Sequence, residues 1–337
     1  MEDIKKVKDL LFGLGKDIVI LSHRNPDGDA IGSSLGLMHY LKTLGHSIHI
    51  ILPSDYPPPF AWMPLIEDII IFDSEPTVST NIINKADIAF CLDFNAFDRI
   101  DKVGEILRKR NIPMVMIDHH LDPEPFCDIV FSDTTASSTC ELVYRFICDL
   151  GEKRKITLDC LDCLYTGILT DTGSFKYGTS PTLFRTVADM TEQGVDGFRI
   201  QDLVFNSLNE KQLRLIGHCL NNRLEFLPEF KAAIITLTKQ DYADFTIIRG
   251  DTEGIVNYIL MVRDIKIAIF VSEQPNIIKL SMRSKGDFSV QDICRKYFNG
   301  GGHKNASGGY MHAALSHVTK KIKDVLPEYK AKIEASR

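Results

Sequence analysis

The sequence contains no apolar run long enough to span a membrane, and its first residues lack the hydrophobic core of a signal peptide. Its formal net charge is -6 at pH 7, so it also lacks the basic excess typical of proteins that grip long nucleic acids. These absences predict a cytoplasmic protein that has neither a membrane nor a long nucleic acid as its partner. A local basic groove remains compatible with this charge balance.

The eight cysteines form neither a disulfide framework nor a zinc-binding pattern. Cys160 and Cys163 make a C-x-x-C pair in a helix-like stretch, but no second pair follows at zinc spacing. We therefore interpret the pair as structural, with a redox or metal role as the alternative. Because no secretion signal is evident, we expect a reducing compartment and free thiols.

The chain does have the length and composition of an ordinary globular protein. Its 337 residues, 44% hydrophobic and 25% charged, suffice for two domains that each bury a core. The apolar pattern changes near residue 225. We expect an N-terminal domain over residues 1–205, a helical linker over 206–225 and a smaller C-terminal domain over 226–337.

Apolar strand-like runs alternate with helical patterns in the N-terminal half. The runs at Asp17–Leu21, Ile48–Leu52, Asp87–Leu92 and Met114–Ile117 have the composition of buried strands. Such alternation predicts an α/β fold, in which a mostly parallel sheet is flanked by helices. Ligands of these sheets bind beyond the carboxyl ends of the strands.

The first polar cluster directly follows the first of these strands. It contains His23, Asp27 and Asp29, with Pro26 and Gly28 shaping the turn before a predicted helix. One imidazole and two carboxylates within seven residues suit a Mn²⁺ or Mg²⁺ site. The alternative is a polar loop in which Asp29 caps the helix.

Two more strand ends carry polar side chains. Asp93 follows Leu92, which alone would indicate no more than an aspartate in a turn. Asp118, His119 and His120 come at the end of the next strand. Neighbouring residues of an extended chain point opposite ways, so we expect one histidine to bind metal and the other to face substrate. Asp118 would orient an imidazole by a hydrogen bond.

Asp171 lies in a further cluster, G-I-L-T-D-T-G-S-F, after a predicted helix. With Asp118 and one histidine of the pair set aside, Asp171 and the three strand ends give four aspartates and two histidines. This set matches a two-metal centre with one shared carboxylate, the arrangement that clamps both oxygens of a phosphoryl displacement.

A glycine run marks the C-terminal domain. Gly300, Gly301 and Gly302 precede His303 and Lys304. Glycine backbones can form a nest of N–H groups around an anion, and the basic side chains, with Arg283 upstream, would add donors. A flexible glycine loop is the alternative.

The ordered set of these motifs resembles one family. H-x-x-x-D-x-D, a lone D, D-H-H, D-T-G-S and a closing G-G-G-H-x-x-A-S-G are the pattern of the DHH/DHHA1 phosphoesterases, over nearly the whole chain. Length and motif spacing are similar to the nanoRNase/pAp-phosphatase group, the bifunctional oligoribonucleases and PAP phosphatases. The resemblance implies an active site in the cleft between a DHH and a DHHA1 domain.

The resemblance also implies roles for individual residues. His23, Asp27 and Asp93 would hold one divalent ion. The second ion would be held by a set that shares Asp93 with the first: Asp29, Asp93, His119 and Asp171. His120 would face the scissile phosphate as a catalytic residue beside Asp93.

Substrate contacts are implied for Arg283, Gly300, Gly301, Gly302 and His303. Arg99 would reach phosphate or else be a solvent-facing charge. Asp93-Phe94-Asn95 departs from the family pattern, in which serine or threonine often follows the aspartate, so the details of the pocket differ.

The resemblance implies an enzyme that hydrolyses short oligoribonucleotides or the 3′-phosphate of pAp with a water activated by two divalent ions. Mn²⁺ is the expected ion and Mg²⁺ is the alternative. Short RNA or nucleotide phosphates would be the substrates, and a homodimer is compatible with the sequence. The alternatives are a cyclic-dinucleotide phosphodiesterase, an exopolyphosphatase-like hydrolase and a non-catalytic nucleotide-binding regulator. The last would be expected to lack ligands, whereas all six metal positions are filled here.

Overall fold

The computed structural model describes residues 2–151, 153–206, 208–248 and 250–336. It divides into two compact units, Met1–Ser207 and Leu208–Arg337, which we call the N-terminal and the C-terminal unit. Each unit has its own sheet and its own hydrophobic cores. Among the described residues, no helix combines the length and apolarity needed to cross a lipid bilayer.

The N-terminal unit alternates strands and helices along the chain. Its strands are β1 Asp17–Leu21, β2 Ser47–Leu52, β3 Ile69–Ile71, β4 Ile88–Leu92, β5 Met114–Asp118 and β6 Ile129–Ser132. Its helices are α1 Glu2–Leu11, α2 Gly28–Thr43, α3 Pro76–Lys85, α4 Asp101–Leu107, α5 Thr139–Asp149, α6 Leu158–Asp171, α7 Pro181–Glu192 and α8 Gly197–Phe205.

All pairings in the N-terminal sheet are parallel, and the strand order is β3-β2-β1-β4-β5-β6. The order therefore reverses between β1 and β4, which pair directly, Ile18 with Ile88 and Leu21 with Cys91. Ligands of doubly wound sheets bind at such a reversal, beyond the carboxyl ends of the strands. The topology thus marks the ends of β1 and β4 before any side chain is considered.

Central strands of this sheet are apolar throughout because both of their faces are covered. All five residues of β4 are buried, and they alternate between two cores: Phe90 packs with α2, α5 and α6 residues, whereas Cys91 packs with α3 and α4 residues. The predicted α/β class is confirmed, and β1 has the predicted bounds.

Helices α2 and α6 approach each other closely through glycines. A Cβ atom at Gly32 would lie 2.5 Å from the carbonyl oxygen of Cys163, and one at Gly36 would lie 2.5 Å from the Leu164 side chain. On α6, a Cβ at Gly167 would lie 2.9 Å from the Asp29 carboxylate. This contact holds the start of α2 against the end of α6.

The C-terminal unit contains a mixed sheet of order β11-β12-β10-β9-β8-β7. Its strands are β7 Leu224–Leu227, β8 Ala232–Leu237, β9 Ile267–Glu273, β10 Ile278–Ser284, β11 Gly301–His303 and β12 Ala306–Met311. Its helices are α9 Glu210–His218, which continues as a π-helical turn over Cys219–Arg223, α10 Lys239–Asp244, α11 Ile255–Ile259, α12 Val290–Tyr297 and α13 Leu315–Ala335.

Two cores cover opposite faces of the C-terminal sheet. On one face Leu280 and Met282 of β10 pack with α12 and α13, and on the other Ala268 and Phe270 of β9 pack with α9 and α11. The sheet is antiparallel except for β8 and β9, which pair in parallel. This smaller α/β unit agrees with the predicted fold class.

Candidate metal centre and phosphate site

Three adjacent strands of the N-terminal sheet end in the predicted polar side chains. His23 follows β1, Asp93 follows β4, and His119 and His120 follow β5. Since β1 pairs with β4 and β4 pairs with β5, their carboxyl ends are neighbours at one edge of the sheet. Asp29 at the start of α2 and Asp171 at the end of α6 complete the cluster, which we call the carboxylate–histidine centre.

Asp93 lies in the middle of this centre. Its Oδ2 is 3.3 Å from His23 Nε2, and its Oδ1 is 3.6 Å from both His119 Nε2 and His120 Nδ1. The backbone of Asp93 is left-handed, with φ 61°, which a residue other than glycine seldom adopts. Such strain is common at functional sites, where the surrounding structure holds it in place.

The first group of potential ligands is His23, Asp27 and Asp93, whose ligand atoms lie within 4.8 Å of one another. Asp27 Oδ1 also accepts hydrogen bonds from the backbone N–H groups of Asp29 and Ala30, both at 3.1 Å. Asp27 is therefore the N-cap of α2, and the alternative in which Asp29 caps this helix is wrong. The turn needs Asp27 as the cap, which frees the Asp29 side chain for the centre.

The second group is Asp29, His119 and Asp171, again within 4.8 Å. His119 Nε2 lies 3.3 Å from Asp171 Oδ2 and 3.7 Å from Asp29 Oδ2. Because Asp93 Oδ1 is 3.6 Å from the same nitrogen, Asp93 is adjacent to both groups. All six residues that the sequence predicted as metal ligands are thus brought together.

The N-terminus of α5 supports the centre from the side, a feature that the sequence did not indicate. The backbone N–H groups of Thr139 and Cys140 donate to Asp29 Oδ2 and Oδ1, at 2.6 and 2.9 Å. The Thr139 hydroxyl donates to Asp93 Oδ1 at 3.0 Å. Negative charge is favoured at a helix N-terminus, and Thr139 contacts both carboxylates at once. In the sequence only the start of this helix is signalled, by Ser138, whose side chain caps α5.

Asp118 holds His120 in place. Its Oδ1 lies 2.8 Å from His120 Nδ1, and its Oδ2 accepts the backbone N–H of His120 at 3.0 Å. The expectation that His119 and His120 point opposite ways is wrong. Their ring centroids are 4.9 Å apart and both rings reach Asp93, because β5 ends at Asp118 and the Asp118 side chain turns the chain there.

Buried carboxylates without enough counter-charge dominate the electrostatics. Burial and the neighbouring Asp93 charge raise the pKa of Asp29 to about 7. Burial, together with Asp29, also raises the pKa of Asp171. Burial alone would lower the pKa of His23, but its hydrogen bond to Asp93 and the charge of Asp27 raise it to about 9.

Asp93 itself behaves in the opposite way. Burial opposes its ionisation, yet the hydrogen bond from His23 and the charges of His120 and His119 hold its pKa below the ordinary value. Raised pKa values thus let Asp29, Asp171 and His23 hold protons more readily than usual within a small volume, whereas Asp93 stays ionised. Oxygen-rich clusters of this kind, with added imidazoles, fit divalent cations.

A guanidinium lies beside this centre. The positive charge of Arg99 opposes protonation of His23, so it is close enough to act on the centre. Arg24 is nearer in sequence, but its guanidinium pairs with Asp73, at 2.7 and 2.8 Å, and with Asp101. Among the described residues no carboxylate pairs with Arg99.

The glycine run of the C-terminal unit is not a nest. Gly301–His303 form strand β11, which pairs with β12, and the Gly300 N–H donates to the Cys294 carbonyl at 3.1 Å. A Cβ at Gly300 would lie 1.9 Å from the Gly308 carbonyl oxygen, so glycine is needed there for close backbone packing. Arg283 on β10 and His303 on β11 both pair with Ala306 of β12, on its two sides.

The class of protein follows from this fold and centre together with comparison to known sequences. Residues 17–168 match the DHH family, N-terminal domain, and residues 231–335 match the DHHA1 domain. The chain belongs to the DHH family with a C-terminal DHHA1 domain, as the motifs predicted, and it is a hydrolase of phosphate esters.

Individual relatives cover most of the chain. An exopolyphosphatase-related protein from Bacteroides fragilis is 38% identical, with a TM-score of 0.95 over 99% of this chain and 98% of its own. The bifunctional oligoribonuclease and PAP phosphatase NrnA of Thermus thermophilus is 29% identical over 92% of this chain and 89% of its own length. The cyclic-di-AMP phosphodiesterase GdpP of Bacillus subtilis is 23% identical, but this chain matches only 48% of it.

Proposed function

We propose that the protein hydrolyses short oligoribonucleotides and the 3′-phosphate of pAp, with two divalent ions held by the carboxylate–histidine centre. The observation that carries the proposal is the position of Asp93, whose two oxygens face His23 on one side and His119 on the other. A single carboxylate adjacent to two ligand groups is what a shared bridge between two ions requires.

His23, Asp27 and Asp93 would hold one ion, and Asp29, Asp93, His119 and Asp171 the other. When bound, such ions lower the pKa of water and offset negative charge on a phosphate. A set of four carboxylates with two imidazoles favours Mn²⁺, with Mg²⁺ as the alternative. Thr139 and the N-terminus of α5 keep two of these carboxylates oriented.

Two further groups of the N-terminal unit would act on the substrate. Asp118 engages His120 through Nδ1, so Nε2 is the nitrogen that would donate to a phosphate oxygen. Preorganised donors stabilise the charge that develops on phosphate during displacement. Arg99, which carries no ion pair among the described residues, would add a second donor, and bidentate binding of phosphate suits a guanidinium.

The C-terminal unit would bind the part of the substrate that does not react. Arg283 and His303 would supply the donors, with the glycine run Gly300, Gly301 and Gly302 beside His303. Gly300 and Gly302 allow β11, which carries His303, to pack closely on β12. Loss of such remote contacts impairs both binding and positioning of a substrate.

We propose oligoribonucleotides and pAp as substrates, rather than cyclic dinucleotides, because this chain matches a larger share of the NrnA relative than of the GdpP relative. The NrnA relative is matched over 89% of its length, whereas the GdpP relative is matched over only 48%. The exopolyphosphatase-related protein, at 38% identity, keeps polyphosphate as a second candidate substrate.

Initial rates on four substrates test the proposal: the ribodinucleotide pApA, pAp, cyclic di-AMP and polyphosphate, each with Mn²⁺ at equal substrate concentration. We expect turnover of pApA and pAp at rates well above the other two. Faster hydrolysis of cyclic di-AMP or of polyphosphate would overturn the substrate assignment, and full activity after thorough metal removal would overturn the two-ion centre.

A further inference from the structure

The two units differ sharply in charge. The N-terminal unit has 19 Lys and Arg against 31 Asp and Glu, a formal charge of -12, and the C-terminal unit has 20 against 14, a charge of +6. The C-terminal unit is therefore basic although the formal net charge of the whole chain is -6. A net positive charge attracts polyanions, so we expect the C-terminal unit to hold the polyanionic part of a substrate.

One face of β10 and β12 carries exposed basic and aromatic side chains. Along β10, Ile278, Leu280 and Met282 face the core, so Lys279, Ser281 and Arg283 lie on the opposite face. Residues that pair directly across antiparallel strands share a face. Their partners on β12 are Tyr310, Gly308 and Ala306.

The middle of this face is flat. A Cβ atom at Gly308 would meet only the Leu280 carbonyl oxygen, at 3.5 Å, which is ordinary contact distance. Ser281 pairs with Gly308, so small residues separate Arg283 at one end from Lys279 and Tyr310 at the other. Arg283 lies four positions along β10 from Lys279, a distance of about 13 Å along the strand.

Tyr310 is available as a platform at the far end. Its side chain is 41% exposed, and the ring of His312, two residues further on, lies 5.7 Å away in an edge-on arrangement. Lys279, directly opposite Tyr310, is exposed as well. An exposed ring beside a lysine is the combination by which proteins bind single-stranded nucleic acid, through stacking on a base and contact to a phosphate.

We propose that Tyr310 and Lys279 form a second nucleotide subsite, which binds a nucleotide of an oligoribonucleotide beyond the one held by Arg283 and His303. This inference rests on the proposed function and adds a dependence on chain length. Tyr310 stacks on a base, and Lys279 contacts the adjoining phosphate. Diadenylate held at Arg283 does not reach the subsite, whereas a tetra- or hexanucleotide does.

Equilibrium binding of full-length protein tests the subsite independently of turnover. The probes are adenylate oligoribonucleotides of two, four and six residues with a 3′-fluorescein, measured by anisotropy in the presence of chelator. We expect wild-type protein to bind hexaadenylate at least about 10-fold more tightly than diadenylate. Tyr310→Ala should remove this preference and Tyr310→Phe should keep it, because phenylalanine stacks but lacks the hydroxyl.

Two further variants sharpen the measurement. Lys279→Gln should reduce the slope of log affinity for hexaadenylate against log salt by about 0.7, the value for one phosphate contact on a single strand. Phe226→Ala is the matched control, since Phe226 is an aromatic residue, 49% exposed, on β7 at the other edge of the same sheet. It should leave both affinities unchanged.

The inference is overturned if wild type shows no preference for the longer probe, or if Tyr310→Ala retains it. It is also overturned if Tyr310→Phe loses the preference, or if Phe226→Ala does. Hydrolysis of pApA and pAp by wild type with Mn²⁺, measured separately, decides the proposed function. Different measurements would therefore overturn the proposed subsite and the proposed activity.

Discussion

His23 Nε2 lies 3.3 Å from Asp93 Oδ2, across the point at which the strand order of the N-terminal sheet reverses. The two residues follow β1 and β4, strands that pair directly although 66 residues of chain separate β1 from β4. Topology thus creates the contact on which the carboxylate–histidine centre depends, and Asp93 extends it by facing His119 as well.

Asp93→Asn should therefore be more damaging than loss of a ligand to one group. It removes the charge adjacent to both groups of ligands, and we expect a fall of at least about 10³ in kcat on pApA. Asp171→Asn should lower kcat less, because Asp171 belongs to the second group of ligands only. Asp98→Asn, an exposed carboxylate five residues after Asp93, is the control and should retain wild-type turnover.

The comparison fails if Asp93→Asn and Asp171→Asn lose the same activity, or if Asp93→Asn turns over at a near-normal rate. Either result would show that Asp93 does not serve both groups.

The Thr139 hydroxyl offers a test of the support given by α5. Thr139→Val keeps the shape of the side chain and its backbone N–H but removes the donor to Asp93 Oδ1. A hydrogen bond to a charged group contributes about 1.5–3 kcal/mol, so Mn²⁺ affinity measured by calorimetry should fall about 10- to 150-fold. Thr139→Ser, which keeps the hydroxyl, should remain close to wild type. Equal losses in the two variants would mean that packing, not the hydrogen bond, matters at this position.

Much of this site could be predicted from sequence because each of its strand-end residues follows a continuous apolar run. His23, Asp93 and His119 are conspicuous for that reason. The support from α5 could not be predicted, because Thr139 lies 46 residues from Asp93 and 110 from Asp29. Thr139 and Cys140 donate three hydrogen bonds to these carboxylates, and two of the three come from backbone N–H groups, which carry no sequence signal. The directions of His119 and His120 were predicted wrongly because Asp118 turns the chain after β5.

The strands and helices likewise divide into those that the sequence predicts and those that it does not. Long buried strands such as β1 and β4 are evident from apolar runs, whereas the three-residue strand Gly301–His303 has no apolar signal. Gly302 lets this strand approach the backbone of β12 closely, and only the pairing of the two strands in the structure reveals this role. Helix α11 is short, Ile255–Ile259, and Gly254 adopts a left-handed conformation at its start.

Metal binding should strengthen as pH rises. In the metal-free fold the pKa of Asp29 is raised to about 7 and that of His23 to about 9, so both hold protons that the unfolded chain releases earlier. Their contribution to stability is complete below the unfolded pKa values, 3.8 and 6.5, and is lost as pH passes 7 and 9. Metal must displace these protons.

The measurement is the rise in melting temperature caused by saturating Mn²⁺ at pH 5, 7 and 9. We expect the rise to increase with pH over this range, and Asp29→Asn to flatten the change near pH 7. A rise that is independent of pH would contradict the proton competition.

Close packing of α2 on α6 predicts a specific sensitivity to a single methyl group. Gly32→Ala places a Cβ 2.5 Å from the backbone oxygen of Cys163 and should lower the free energy of unfolding by about 1–3 kcal/mol or more. Gly217→Ala is the control, because no atom lies within 4 Å of a Cβ there and alanine favours the helix by about 0.5–1 kcal/mol. Denaturant unfolding should show a loss for the first variant and none for the second; equal midpoints would refute the close contact.

The number of Mn²⁺ ions bound per chain tests the shared centre most directly. Equilibrium dialysis at pH 8 followed by elemental analysis should give two ions per wild-type chain and two in Asp98→Asn. In Asp93→Asn both should be weakened together, leaving fewer than one ion at a concentration that saturates wild type. A single ion in the wild-type protein, or two ions retained by Asp93→Asn, would contradict a centre in which one carboxylate serves two metal ions.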